Sequence, residues 1–180
     1  MIHRAIEFAT KAHKNQVRKG TDTPYIVHPF EVAIILTENG CDEKVVVAGL
    51  LHDTIEDTDV TVEDIEHYFE SEISELVSLC SEDKTKAWEV RKQHTIDFLK
   101  YEADFDMLLL SCADKLSNLR SMKEDYNTVG EKLWERFNRP KDEQNWYYKS
   151  LIDCFEPLSD YDMYLELLNT YKELFGVSKN

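Results

Sequence analysis

Apolar residues in this chain recur every three or four positions, and no stretch alternates with period two for more than a few residues. That spacing puts apolar side chains on one face of a helix and gives a sheet no continuous face to bury. Only 5 of the 180 residues are Gly and 4 are Pro, too few for a sandwich or barrel with many tight turns. The expected fold is therefore all-α, one compact domain over residues 1–180 with roughly eight to ten helices.

The helix boundaries follow from local signals. Ile2, Ala5, Ile6, Ala9 and Ala12 define a first helix over Ile2–His13, and Gly20, Asp22 and Pro24 mark a loop over 15–27. Pro29 suits the first turn of a helix that runs to Asn39, with Gly40 just past its end. Asp42 is a fitting N-cap for one continuous helix over 43–57. Thr61 and Asp64 form a loose capping box before a short helix to about Phe69, and another helix covers 72–80. Further helices are expected over 86–102, 104–124, 128–137, 141–155 and 159–175, with Pro140 and Pro157 near breaks. The segment over 104–124 has the most apolar start and should be central.

The net charge is −15 and it is unevenly spread. Residues 1–20 hold five basic residues against Glu7 alone; residues 21–83 hold Lys44 against seventeen acids. So acidic a chain repels a phosphate backbone, which disfavours non-specific nucleic-acid binding. The longest apolar runs are too short to cross a membrane, and Met1–Lys14 has no continuous apolar region, so no signal peptide is expected. Cys41, Cys80, Cys112 and Cys154 form no CxxC pair and lie in or beside apolar stretches. Buried reduced thiols in a cytoplasmic protein are the expectation.

Leu50-Leu51-His52-Asp53-Thr54-Ile55-Glu56-Asp57 concentrates chemistry. On an unbroken helix His52, Asp53, Glu56 and Asp57 share one arc of roughly 140°, while Val47, Ala48, Leu51 and Ile55 face the core. Neighbouring carboxylates repel one another, and a cation relieves that repulsion. For this segment alone, a solvated acidic face and a cation site fit equally well. His28, at a helix start, has the ordinary alternative of a structural histidine. Asp114 interrupts the strongly apolar segment Leu109–Asn118, where an acid is costly unless it is metal-bound or ion-paired, here with Lys115 or Arg120. Together His28, His52, Asp53 and Asp114 offer two imidazoles and two carboxylates, a mixed set suited to Mn²⁺, Fe²⁺ or Mg²⁺.

The order of His28, then His52-Asp53, then Asp114 resembles the HD superfamily of metal-dependent phosphohydrolases. Three longer blocks narrow the resemblance: Gln16–Gly20 with Pro24–Pro29, Gly49–Thr58, and Ala113–Arg120. They are similar to the hydrolase domain of RelA/SpoT-type alarmone enzymes over about residues 5–125. Asp83-Lys84-Thr85-Lys86 followed by Arg91-Lys92 resembles the single-domain members. Cys80-Ser81 departs from the Val-Thr pair more usual before those acids.

The resemblance implies an HD-type helical domain with His28, His52, Asp53 and Asp114 as metal ligands, usually of Mn²⁺. It implies Glu56 and Asp57 as the acids acting on the attacking water. It implies substrate contacts at Arg18, Lys19, Asn118, Ser121 and, more weakly, Lys84. The implied reaction is hydrolysis of the 3′-pyrophosphate of the guanine nucleotides ppGpp or pppGpp, giving GDP or GTP and pyrophosphate. Two alternatives remain open. One is an HD phosphohydrolase of another nucleotide, such as a nucleoside monophosphate or NADPH. The other is a non-catalytic alarmone-binding protein.

Overall fold

The computed structural model describes residues 1–176. Ten α-helices follow one another: α1 Ile2–Ala12, α2 Val27–Glu38, α3 Glu43–Leu51, α4 Thr54–Asp57, α5 Val62–Tyr68, α6 Ser71–Cys80, α7 Trp88–Tyr101, α8 Phe105–Val129, α9 Lys141–Cys154 and α10 Asp162–Phe175. Two 3₁₀ turns, Gly130–Arg136 and Glu156–Leu158, complete the order. The described residues form no strand; an isolated bridge pairs Val17 with Pro24 in the loop before α2. No helix among them is long and apolar enough to cross a membrane.

α3 and the first half of α8 form the centre. Every residue from Val45 to Leu51 is buried, as is every residue from Met107 to Ala113. α2 packs on α3 and α8, α6 covers α3, and α10 lies along α8. Gly49 lets α2 and α3 approach closely: a Cβ there would stand 2.7 Å from Leu36 Cδ1 and 3.2 Å from Val32 Cγ1.

Four of the expected helices differ from those observed. The single helix over 43–57 is broken at His52 and Asp53 into α3 and α4. The carbonyls left at the end of α3 find side-chain partners: Thr54 Oγ1 donates to Leu51 O at 2.7 Å, and His52 Nδ1 bonds Gly49 O at 2.8 Å. α8 does not stop near residue 124 but runs to Val129, because no breaker occurs before Gly130, whose φ of +61° ends it. The helix expected over 128–137 is therefore the end of α8 plus a 3₁₀ turn that buries Leu133 and Trp134. The last helix starts at Asp162, not 159, because Pro157 sits in a separate 3₁₀ turn. The capping box is complete, with Asp64 accepting from the Thr61 backbone and Thr61 Oγ1 accepting from Asp64 N. All four cysteines are free; Cys112 and Cys154 are buried, while Cys41 and Cys80 are half-buried.

Candidate metal centre and its cavity

Three places in the chain meet at one point. The first turn of α2 supplies His28, the α3–α4 break supplies His52 and Asp53, and the middle of α8 supplies Asp114. His28 Nε2 stands 3.2 Å from Asp114 Oδ1 and 3.5 Å from Asp53 Oδ2. His52 Nε2 stands 3.1 Å from Asp53 Oδ2 and 3.8 Å from Asp114 Oδ1. One ligand atom each from His28, His52 and Asp114 lies within 4.8 Å of the others. Neighbouring ligands of an octahedral ion with bonds near 2.1 Å are separated by roughly 3 Å, so these spacings suit a small divalent cation.

Hydrogen bonding on the far side of each imidazole fixes its tautomer. His52 Nδ1 faces a carbonyl, Gly49 O, which can only accept, so Nδ1 carries the proton. His28 Nδ1 lies 2.8 Å from Ser117 Oγ, whose own proton goes to Glu31 Oε2 at 2.8 Å. His28 Nδ1 is therefore also the donor. With Nδ1 protonated in each ring, both Nε2 atoms would offer lone pairs to a bound cation, and His52 Nε2 is buried with no hydrogen-bond partner. This is the usual dress of metal-binding imidazoles. A divalent cation fits this donor set.

Without such a cation the site is electrostatically tense. Burial opposes charge on Asp53, but His52 and His28 outweigh it and hold the carboxyl below its usual range. Asp114 behaves likewise: burial is overcome by Lys115, which bonds Asp114 Oδ2, and by the two histidines. Burial also disfavours imidazolium at His52, yet Asp53 and Asp114 push that group up to about 9. Protons in the cluster thus supply the positive charge that the carboxylates demand.

A cavity of about 660 Å³ opens over the cluster, a size that accommodates a nucleotide. Its wall includes Glu56, Asp57, Asn118 and residues of α7, notably Arg91, Lys92 and Thr95. Burial raises the Glu56 carboxyl above its ordinary value, against the Glu82 backbone N–H and Lys84. Lys84 Nζ bonds Glu56 O at 3.0 Å and also pairs with Asp57 Oδ1. Asn118 Nδ2 donates to Asp114 Oδ1 at 2.7 Å, and Arg18 Nη2 to Asn118 Oδ1 at 3.4 Å. Arg18, in the loop before α2, is thus linked to the cluster only through Asn118. Lys19 is exposed and Ser121 half-buried; neither makes a side-chain hydrogen bond or ion pair among the described residues.

Several participants were not singled out from sequence. Tyr25 donates to Asp53 Oδ2 at 2.6 Å, and Glu31 takes the Ser117 proton. Glu31 lies three residues after His28, and Ser117 three after Asp114, so helical spacing was a usable signal for both. Lys115, not Arg120, is the ion-pair partner of Asp114; Arg120 instead bonds Glu31 and Glu166. Cys80 lines the cavity, and burial raises its thiol well above the ordinary range. Tyr147 and Tyr148 are buried in the core while Trp146 is 40% exposed.

The chain is similar to known proteins in sequence and in fold. The HD domain family matches residues 5–139. The chain is 41% identical over 121 residues to the human guanosine-3′,5′-bis(diphosphate) 3′-pyrophosphohydrolase MESH1, covering 66% of this chain and 67% of that one. It is 38% identical over 124 residues to an Aquifex aeolicus protein named as the same hydrolase, covering 67% of this chain but only 18% of that longer one. A crystal structure from Listeria monocytogenes EGD-e superposes with a TM-score of 0.77 at 38% identity, over 83% of this chain and 99% of that one. A metazoan ortholog of SpoT, described as hydrolysing ppGpp, superposes at 0.78 with 28% identity, over 95% and 93% of the two chains. With three-quarters of its length matched and the cluster above at its centre, the chain belongs to the HD domain family.

Proposed function

We propose that this protein is a cytoplasmic, Mn²⁺-dependent 3′-pyrophosphohydrolase of ppGpp and pppGpp, with residues 1–180 working as one HD-type domain. The observation that carries the reading is the convergence of both Nε2 atoms with Asp53 Oδ2 and Asp114 Oδ1 in the wall of a nucleotide-sized cavity. His28, His52, Asp53 and Asp114 would hold the cation, which supplies Lewis-acid charge and makes water nucleophilic at neutral pH.

The reaction adds water to the phosphorus bonded to O3′ and breaks that P–O3′ bond. The water proton must be removed and a proton must reach O3′, so the balance is one water consumed and pyrophosphate released. Glu56 is suited to take the water proton, because burial already raises its proton affinity. Asp57, tied to Lys84, sets the charge beside it. Arg18 and Asn118, linked to each other and to Asp114, present cationic and amide donors to the substrate. Lys84, Lys19 and Ser121 enter as substrate contacts on the family resemblance. Cations available to the substrate's phosphates are Lys86, Arg91 and Lys92 in the cavity wall, the last two paired with Glu82, and Arg18, which approaches through Asn118.

The test is to incubate purified protein with Mn²⁺ and a panel of ppGpp, pppGpp, nucleoside monophosphates and NADPH. Pyrophosphate should appear from the first two. Turnover of another nucleotide instead would replace the substrate assignment, and tight ppGpp binding without turnover would favour a binding protein. Asp53→Ala should abolish bound metal and activity together.

A further inference from the structure

Tyr25 sits between the ligand cluster and the acid pair. Its hydroxyl lies 2.6 Å from Asp53 Oδ2 and 3.2 Å from Asp57 Oδ2. A phenol has one proton, so it cannot donate fully to both. The ring is fixed from behind: His13, itself 2% exposed, packs against it with ring centroids 5.0 Å apart. His13 Nδ1 bonds Gln16 Oε1 at 2.6 Å, and Gln16 Nε2 donates to the Asp57 carbonyl. The loop that carries Tyr25 is thus tied to the backbone of Asp57 as well as to its side chain.

Asp53 Oδ2 is also the oxygen that faces both Nε2 atoms, at 3.1 and 3.5 Å. One atom is therefore claimed by the phenol and by the metal position. Asp57 Oδ2 has no such rival, because Lys84 holds the other oxygen, Oδ1.

We propose that Tyr25 is a positioning residue whose single proton is shared between Asp53 Oδ2 and Asp57 Oδ2, so that cation binding at Asp53 turns the hydroxyl toward Asp57 and locks Asp57 beside Glu56. The covalent O–H bond stays intact; the hydrogen bond to Asp53 Oδ2 is exchanged for one to Asp57 Oδ2. A carboxylate oxygen shared with a cation is a weaker acceptor, which leaves Asp57 the better partner. Asp57 is then held through Oδ1 by Lys84 and through Oδ2 by Tyr25, and its orientation depends on metal occupancy.

The proposal rests on the metal assignment above but not on the identity of the nucleotide. The experiment is a Mn²⁺ titration of the wild-type chain, Tyr25→Phe and Asp57→Ala, followed by near-ultraviolet tyrosine difference absorption and calorimetry. Wild type should give a metal-induced tyrosine signal that Tyr25→Phe lacks. Tyr25→Phe keeps the ring that packs on His13, and it should lose kcat about 10- to 100-fold with KM nearly unchanged. Asp57→Ala keeps Tyr25 but removes the second acceptor, so the tyrosine signal should shrink even if Tyr25→Phe fails to fold. A wild-type signal retained in Asp57→Ala, or wild-type kcat in folded Tyr25→Phe, overturns the proposal. So does a Tyr25→Phe defect that is fully repaired by raising Mn²⁺, which would limit the phenol to supporting Asp53. If the nucleotide panel fails while the tyrosine signal behaves as described, the substrate assignment falls and the positioning role stands.

Discussion

His28 Nδ1 and Ser117 Oγ lie 2.8 Å apart across 89 residues of chain, joining the first turn of α2 to the middle of α8. The contact is fully buried, and the Ser117 hydroxyl passes the chain of bonds on to Glu31 and thence to Arg120. It fixes which nitrogen of His28 is free. Ser117→Ala removes the acceptor and lets the ring choose the wrong tautomer. Metal affinity should fall about 10- to 100-fold, the usual cost of losing such a partner. Calorimetric Mn²⁺ titration checks this, and unchanged affinity would refute the tautomer argument.

In the proposed reaction Glu56 moves a proton rather than binding the cation. In Glu56→Gln an amide oxygen can replace the carboxylate oxygen that accepts from the Glu82 backbone N–H, a bond now 3.1 Å long. The side chain loses the ability to take a proton. The variant should bind metal as wild type does but lose about 10²- to 10⁴-fold in kcat. Metal analysis and steady-state rates on one preparation separate the two effects; loss of the metal would assign Glu56 to the ligand set instead.

Glu82 anchors the segment between α6 and α7. Its carboxylate bonds Arg91 at 2.8 Å, Lys92 at 2.7 Å and Thr95 at 3.2 Å, while its N–H holds Glu56. Burial raises a carboxyl in this position, but Lys92, Lys115 and Arg91 outweigh it, so the folded value lies below the ordinary 4.5. A depressed carboxyl stabilises the fold above its unfolded value and loses that contribution as pH falls through the folded one. Glu82→Gln should therefore melt lower than wild type near pH 7. The gap should close as the solution is acidified below pH 4.5. A gap that is the same at pH 7 and in acid would mean that packing, not charge, is what the residue provides.

Much of this was readable in the chain because its signals are local. The 3–4 spacing locates the helices, Thr61 and Asp64 mark a cap, and Gly40 marks an end. His52, Asp53, Glu56 and Asp57 do line one cavity, although the straight helix used to group them is broken at residue 52. That break depends on a Thr54 hydroxyl capturing a carbonyl, a choice that sequence spacing does not express. Tyr25 was invisible for a different reason. It comes from a loop, where no periodicity says which way a side chain points, and its partners are 28 and 32 residues away. The Asp114 partner was ambiguous between Lys115 and Arg120 because both are sequence neighbours; Glu31 and Glu166, from α2 and α10, draw Arg120 away.

Gly49 links packing to the site. Its missing Cβ would sit 2.7 Å from Leu36 Cδ1 and 3.2 Å from Val32 Cγ1, and both neighbours are completely buried. Gly49→Ala must push α3 away from α2, at a cost of about 1–3 kcal/mol for overpacking, offset in part by the better helix propensity of Ala. The same residue's carbonyl holds His52 Nδ1, so moving α3 should also weaken metal binding. Leu36→Val removes the clashing methyl group, so adding it to Gly49→Ala should cost less than the two single changes together. Thermal melts of the four proteins in that cycle measure the coupling, and Mn²⁺ titration of the same four reads the site. Strict additivity would show that α2 and α3 do not meet through this pair.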